Sequence, residues 1–143
     1  MRLSAKERTG LRAMAELARR YGEGPISLNE VAEAEGLSFS YLEQIASALR
    51  RSGLIHSARG VHGGYQLARK PEEIMVGDIF RAVEGSLMTL DCMGADGSVC
   101  AREPICATRA IWLTVFDRLS DTLDHLSLAD VLVEHGAGLG LKG

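Results

Sequence analysis

Residues 27–53 read SLNEVAEAEGLSFSYLEQIASALRRSG, and their punctuation decides the fold. Ser27 and Glu30 have the spacing of a capping box. In that motif the serine oxygen accepts from the backbone three residues on, and the glutamate reaches back. Leu28, Val31 and Ala32 then make one short amphipathic helix that stops at Gly36. A second helix opens at Ser38 and carries Leu42, Ile45, Ala46 and Leu49 along one side until Ser52-Gly53 ends it. Two short helices joined by a tight glycine-containing turn predict a helix-turn-helix, with the second as the recognition helix.

The flanking sequence completes the expectation. Upstream, Ser4 and Glu7 repeat the capping-box spacing, and Leu11, Met14, Ala15, Leu17 and Ala18 recur at helical intervals until the turn at 21–25. Downstream, Leu54–Ala58 and Tyr65–Ala68 read as two short strands joined by a turn with three glycines, Gly60, Gly63 and Gly64. This hairpin predicts a wing, with Arg59 and His62 at its tip. An arginine there suits insertion into a narrow minor groove, where the negative potential is strongest. A further short helix is expected from about Gly77, packing Ile79, Phe80 and Val83.

Opposite its apolar stripe, the recognition helix carries Ser40, Glu43, Gln44 and Ser47 at spacings that share one face. Glutamine suits adenine, and glutamate accepts from the amino group of cytosine; Arg50 and Arg51, at the far end, suit phosphates. The alternative is an ordinary solvated face. Charge distribution favours nucleic acid: residues 1–71 carry 11 Lys and Arg against 7 Glu, whereas residues 72–143 carry 5 basic against 12 acidic side chains. The formal net charge of −3 conceals that division.

The second half predicts a different task. The only cysteines in the 143 residues, Cys92, Cys100 and Cys106, lie within one Gly- and Asp-containing loop. An odd count without a secretion signal points away from a disulfide framework and towards metal or redox chemistry, with unrelated buried thiols as the alternative. Thiolates select an iron-sulfur cluster or zinc. A long helix is expected from about Pro104, with Trp112, Phe116, Leu119, Leu123 and Leu126 in a heptad seam. Such a seam packs either inside the chain or against a second copy. A single recognition helix gains specificity by pairing half-sites, which favours a homodimer on a palindromic operator. Ser127 and Asp130 are spaced to cap one last short helix.

With 46% hydrophobic and 24% charged residues the chain is too apolar for disorder. No stretch approaches the ~18 apolar residues of a membrane helix, and charges at Arg2, Lys6, Glu7, Arg8 and Arg12 interrupt any signal peptide, so a cytoplasmic protein without membrane contact is expected. No nucleophile–base pair or phosphate loop suggests an enzyme. The fold expected is mainly α with a small β-hairpin wing. Residues 1–85 form the winged helix-turn-helix domain, 86–106 the cysteine cluster-binding loop, and 107–143 the dimerisation helix and tail.

The chain resembles the IscR-like iron-sulfur cluster regulators, a family that includes NsrR and RirA. The likeness rests on the opening MRLS, on LSFSYLEQ at 37–44, RGVHGGY at 59–65, VGD at 76–78 with AVEG at 82–85, and on the three-cysteine loop. It runs from Met1 to about Val133. The resemblance implies a dimeric winged-helix transcription factor, usually a repressor, in which Cys92, Cys100 and Cys106 bind a 2Fe-2S or 4Fe-4S cluster. It gives DNA-contact roles to Ser40, Glu43, Gln44 and Arg59, and to Glu43 a part in separating classes of DNA site. Two departures stand out. Arg109 replaces the histidine that is the fourth ligand in IscR. The long first cysteine spacing is similar to RirA, a 4Fe-4S sensor. In NsrR an aspartate from the partner's first helix completes the cluster; the aligned residue here is Arg8, next to Glu7. The fourth ligand therefore stays open among the partner subunit's Glu7, the loop carboxylates Asp96 and Glu103, and a small exogenous molecule. The competing readings are an iron-sulfur electron-transfer or carrier protein, and a DNA-binding regulator with a structural zinc.

Overall fold

The structure is a computed structural model and describes residues 4–61, 63–85 and 105–134. Its elements follow in the order α1 (Ala5–Arg19), α2 (Leu28–Glu35), α3 (Phe39–Arg51), β1 (Ile55–Ala58), β2 (Gly64–Leu67), a 3-10 turn (Pro71–Glu73), α4 (Val76–Glu84), α5 (Arg109–His125) and α6 (Leu128–Glu134). Both expected capping boxes form. Ser4 Oγ accepts from the Glu7 amide at 3.2 Å and Glu7 Oε2 accepts from the Ser4 amide at 2.7 Å. At α2 the equivalent bonds between Ser27 and Glu30 are 3.2 and 3.0 Å, and the Ser27 amide holds the Glu30 carboxyl below the ordinary carboxylate range. Gly36 ends α2 in the left-handed region at φ 62°, where a side chain would be strained.

Helix α1 lies at the centre and packs on α2, α3, α4, α6 and β2. Met14, Leu42, Ile74, Ile79 and Leu128 are fully buried, so one core is built from the first helix, the helix-turn-helix, α4 and α6. Removing such surface from water contributes roughly 25 cal/mol per Å² of apolar area. Helices α1 and α4 approach closely: a Cβ on Gly10 would lie 3.1 Å from the Val83 side chain.

Strands β1 and β2 pair antiparallel with Ile55 opposite Leu67 and His56 opposite Gln66. Sequence periodicity does not reveal what anchors this hairpin. Ile26, between α1 and α2, forms a β-bridge with Tyr65, its amide donating to Tyr65 O at 2.9 Å and its carbonyl accepting from the Tyr65 amide at 2.8 Å. A second bridge joins Met75 to Ser127, with Val76 N–H to Leu126 O and Leu128 N–H to Ile74 O both at 2.8 Å. Beside it the Arg81 guanidinium donates to Asp124 Oδ2 at 2.6 Å, so the end of α5 is fastened to α4.

The expected long helix starts later than Pro104. The chain turns at Cys106–Thr108, where the Arg109 amide donates to Cys106 O at 3.4 Å, and the regular helix begins at Arg109. The seam is also divided. Leu123 and Leu126 pack against the core, whereas Trp112 is 44% exposed and neighbouring Ile111 61%. Ser127 caps α6 as expected, accepting from the Asp130 amide at 3.1 Å. Residues 86–104, with most of the expected cysteine loop, and the tail from 135 lie outside the described residues.

Candidate nucleic-acid interface and cysteine loop

Helix α3 presents two faces of opposite character. Leu42, Ile45, Ala46 and Leu49 are buried, while Ser40, Glu43 and Gln44 are exposed on the other side and Ser47 is half-buried. Ser38 opens the helix without a side-chain cap; its hydroxyl lies 3.3 Å from that of Ser40. Neither Glu43 nor Gln44 bonds to another described side chain, so the carboxylate and amide remain available to base edges.

The basic residues divide in a way the sequence total conceals. Arg12, Arg19 and Arg20 are engaged by glutamates: Arg12 and Arg19 reach Glu35 at 3.0 and 3.1 Å, and Arg20 lies 3.2 Å from Glu23 and 3.4 Å from Glu30. The Glu35 hydrogen bond foremost raises the Arg19 pKa, and that of Glu23 raises the Arg20 pKa. By contrast Arg50, Arg51 and Arg59 are exposed and form no ion pair among the described residues. The first two end the recognition helix, and the third leaves β1 for the wing turn. Exposed cations flanking a polar face with one carboxylate suit a polyanion whose base edges lie in the middle. Replacing Arg59 with alanine is expected to weaken binding about uniformly across sequences and to lower the salt-dependence slope by about 1, measured by DNA titration over a range of salt.

The wing turn is tightly closed. The Gly63 amide donates to Gly60 O at 2.9 Å, and Gly60 has φ 117°. A Cβ on Gly63 would lie 2.6 Å from the Ala58 carbonyl oxygen, so no other residue fits without moving the backbone. His62 lies outside the described residues.

Of the cysteines, Cys106 is described and exposed, in the turn that leads into α5, with Sγ 3.4 Å from Thr108 Oγ1. Cys92 and Cys100 lie outside the described residues, as do Asp96 and Glu103. Among the described residues no three potential metal-binding side chains come together. Arg109, at the start of α5, is half-buried. Glu7 is only 6% exposed and spends its carboxylate on the cap of its own helix, so ligation by the partner subunit's Glu7 requires that cap to open.

A helix-turn-helix on a shared core, followed by a hairpin tied back to the body, defines a winged helix-turn-helix DNA-binding protein. The chain matches the model of the Rrf2 family, described as iron-dependent transcriptional regulators, over residues 3–134, and it belongs to that family. It is 40% identical to the HTH-type transcriptional regulator IscR of Aliivibrio salmonicida over 135 residues, 94% of this chain and 79% of the relative. It is also 40% identical to the HTH-type transcriptional regulator CymR of Bacillus subtilis over 131 residues, 92% of this chain and 89% of the relative. Solved structures agree. That of T. potens IscR superimposes with a TM-score of 0.78 at 39% identity, covering 100% of this chain and 94% of the other. CymR, the global cysteine regulator of B. subtilis, gives 0.78 at 39% identity, covering 93% and 97%. The chain is thus a transcriptional regulator and not an enzyme, which sets aside the electron-transfer and carrier readings. No helix among the described residues is long and apolar enough to cross a membrane.

Proposed function

We propose that this regulator is an iron-sulfur-sensing repressor that acts in the cytoplasm and binds a palindromic operator as a homodimer. The observation that carries DNA recognition is the exposed row of Ser40, Glu43 and Gln44 bracketed by Arg50, Arg51 and Arg59, none of which forms an ion pair among the described residues. In this reading the residues of α3 contact base edges and the arginines contact phosphates and the minor groove. The division of labour follows the chain, with 1–85 reading DNA, 86–106 sensing and 107–143 pairing the subunits. The exposed apolar side chains Ile111, Trp112 and Val115 on α5 support pairing, because such a row is normally covered.

The donor set fits a cluster of either 2Fe-2S or 4Fe-4S type. Three thiols close in sequence supply soft ligands, and Cys106 is exposed just before α5. A bound cluster supplies a group whose presence depends on iron and oxidant. Cys92, Cys100 and Cys106 would hold it, and Arg109, three residues after the last of them, would offset its negative charge. Because the far end of α5 is fastened to α4 by the Arg81–Asp124 pair, and α4 packs on α3, the length of α5 links the cysteine end to the recognition helix.

Anaerobic purification followed by absorbance and Mössbauer spectroscopy tests the ligand set, and titration of operator DNA with loaded and cluster-free protein tests the switch. A coupling of about 1 to 3 kcal/mol gives a 5- to 150-fold difference in affinity. Equal affinities sink the switch and leave DNA recognition standing. A colourless, zinc-containing protein sinks the cluster as well.

A further inference from the structure

The wing tip carries an apolar side chain that the electrostatic account of DNA binding does not use. Val61 is 99% exposed, the highest value of any large apolar side chain among the described residues. It occupies the first corner of the turn closed by the 2.9 Å bond from the Gly63 amide to Gly60 O, next but one to Arg59. Its immediate neighbour Gly60 has no side chain, and neither do Gly63 and Gly64 on the returning arm. The crowding at Gly63 leaves no room for a side chain on the returning arm. The Ile26–Tyr65 bridge then fixes the hairpin to the body through two bonds of 2.8 and 2.9 Å. A fully exposed valine on an anchored hairpin, beside an arginine with no ion pair among the described residues, is set up for a groove about 6 Å wide.

We propose that Val61 is a specificity-determining residue that packs on the floor of the minor groove and selects A·T over G·C pairs beneath the wing. This deepens the DNA-recognition reading above and rests on its placement of the wing in the groove. The physical basis is the asymmetry of the minor-groove floor. A·T pairs offer the acceptors adenine N3 and thymine O2 and no protruding donor, whereas guanine adds its 2-amino group. A valine over that amino group strips it of water and offers no acceptor, leaving a donor unsatisfied. Over an A·T pair the same methyl groups meet a smoother floor, and Arg59 gains from the narrower, more negative groove of A·T runs. Arginine sets the strength of the contact, and valine sets what it tolerates.

The test uses the full-length protein and a duplex that it recovers from a randomised pool. Base pairs facing the wing are those whose protection from hydroxyl radical is lost in Arg59→Ala. At these positions A·T is replaced by G·C or by inosine·C, which lacks the 2-amino group and so presents an A·T-like minor groove. The unaltered protein is expected to bind the A·T and inosine·C duplexes equally and the G·C duplex about tenfold more weakly. Val61→Ser, whose hydroxyl accepts from the amino group, is expected to shrink that gap to about threefold or less with the salt-dependence slope unchanged. If Arg59→Ala acts as expected but Val61→Ser keeps the full discrimination, or if inosine·C binds as poorly as G·C, the role of Val61 is overturned and the wing reading stands. If Arg59→Ala alters neither affinity nor protection, the wing does not enter the groove and both fall.

Discussion

Gly64→Ala is expected to lower stability by roughly 3 kcal/mol and to cut operator affinity at least about tenfold, although Gly64 lies in the hairpin strand and not on the reading face of α3. The side chain it would add has nowhere to go. A Cβ at this position lies 2.3 Å from the Ile26 carbonyl oxygen and 2.4 Å from its carbon. These are backbone atoms and cannot rotate away. Relief requires the hairpin to move off the segment before α2, which breaks the two bonds between Ile26 and Tyr65. Each backbone bond contributes about 1 kcal/mol net, and loosening the hairpin also hydrates the apolar side carrying Ile55 and Leu67. Thermal unfolding at fixed protein concentration should show a drop of about 10 °C. The affinity loss follows because this anchor helps to position Arg59 and Val61. Gly77→Ala makes the contrast: there the crowding atom, 2.2 Å away, is a side-chain oxygen of Asp124 and not backbone, so relief strains the Arg81–Asp124 pair and leaves the backbone in place. A melting temperature for Gly64→Ala within about 2 °C of the parent protein would show that the wing is not held by the bridge.

That anchor also marks where sequence reading stops. Helices α1 to α3 and the hairpin were legible because their signals are local: capping boxes three residues apart, apolar residues at helical spacing, and glycines at the turn. The Ile26 bridge is one residue long and pairs with a residue almost forty positions later, so no periodicity announces it. The Arg81–Asp124 pair is equally silent, because its members are 43 residues apart. The heptad seam of α5 was visible as an apolar stripe, but a stripe does not say what covers it. One end, at Leu123 and Leu126, proves to be covered by the chain's own core, and the other, at Trp112, is open. The candidate interface shows the same limit. The reading face of α3 follows from helical geometry, whereas the neutralisation of Arg12, Arg19 and Arg20 depends on pairing across elements. The sequence total of basic residues therefore overstated the charge open to DNA. Spacing made the cysteine loop conspicuous, but the arrangement of its thiols depends on residues outside those described.

Adjacent residues on α3 give the sharpest separation of folding from recognition. Leu42→Ala is expected to cost about 3 to 4 kcal/mol of stability, because Leu42 is fully buried beneath the recognition helix and its truncation removes three carbons from a packed core. Glu43→Ala, one position on, is expected to change stability by less than about 0.5 kcal/mol, since its side chain is exposed and pairs with no described residue. Their effects on DNA should reverse in kind. Loss of Leu42 loosens the whole helix and weakens binding to every sequence alike. Loss of Glu43 leaves binding intact and relaxes preference. A carboxylate brought beside phosphates is repelled unless a cytosine amino group satisfies it, so its removal admits sites that it had excluded. Chemical denaturation combined with selection from a randomised duplex pool measures both quantities for each variant. If Glu43→Ala recovers the same base at every position as the parent protein, with the same relative affinities, the exposed face of α3 is not the reading surface. If Leu42→Ala costs less than about 1 kcal/mol, the helix is not seated on the core as described.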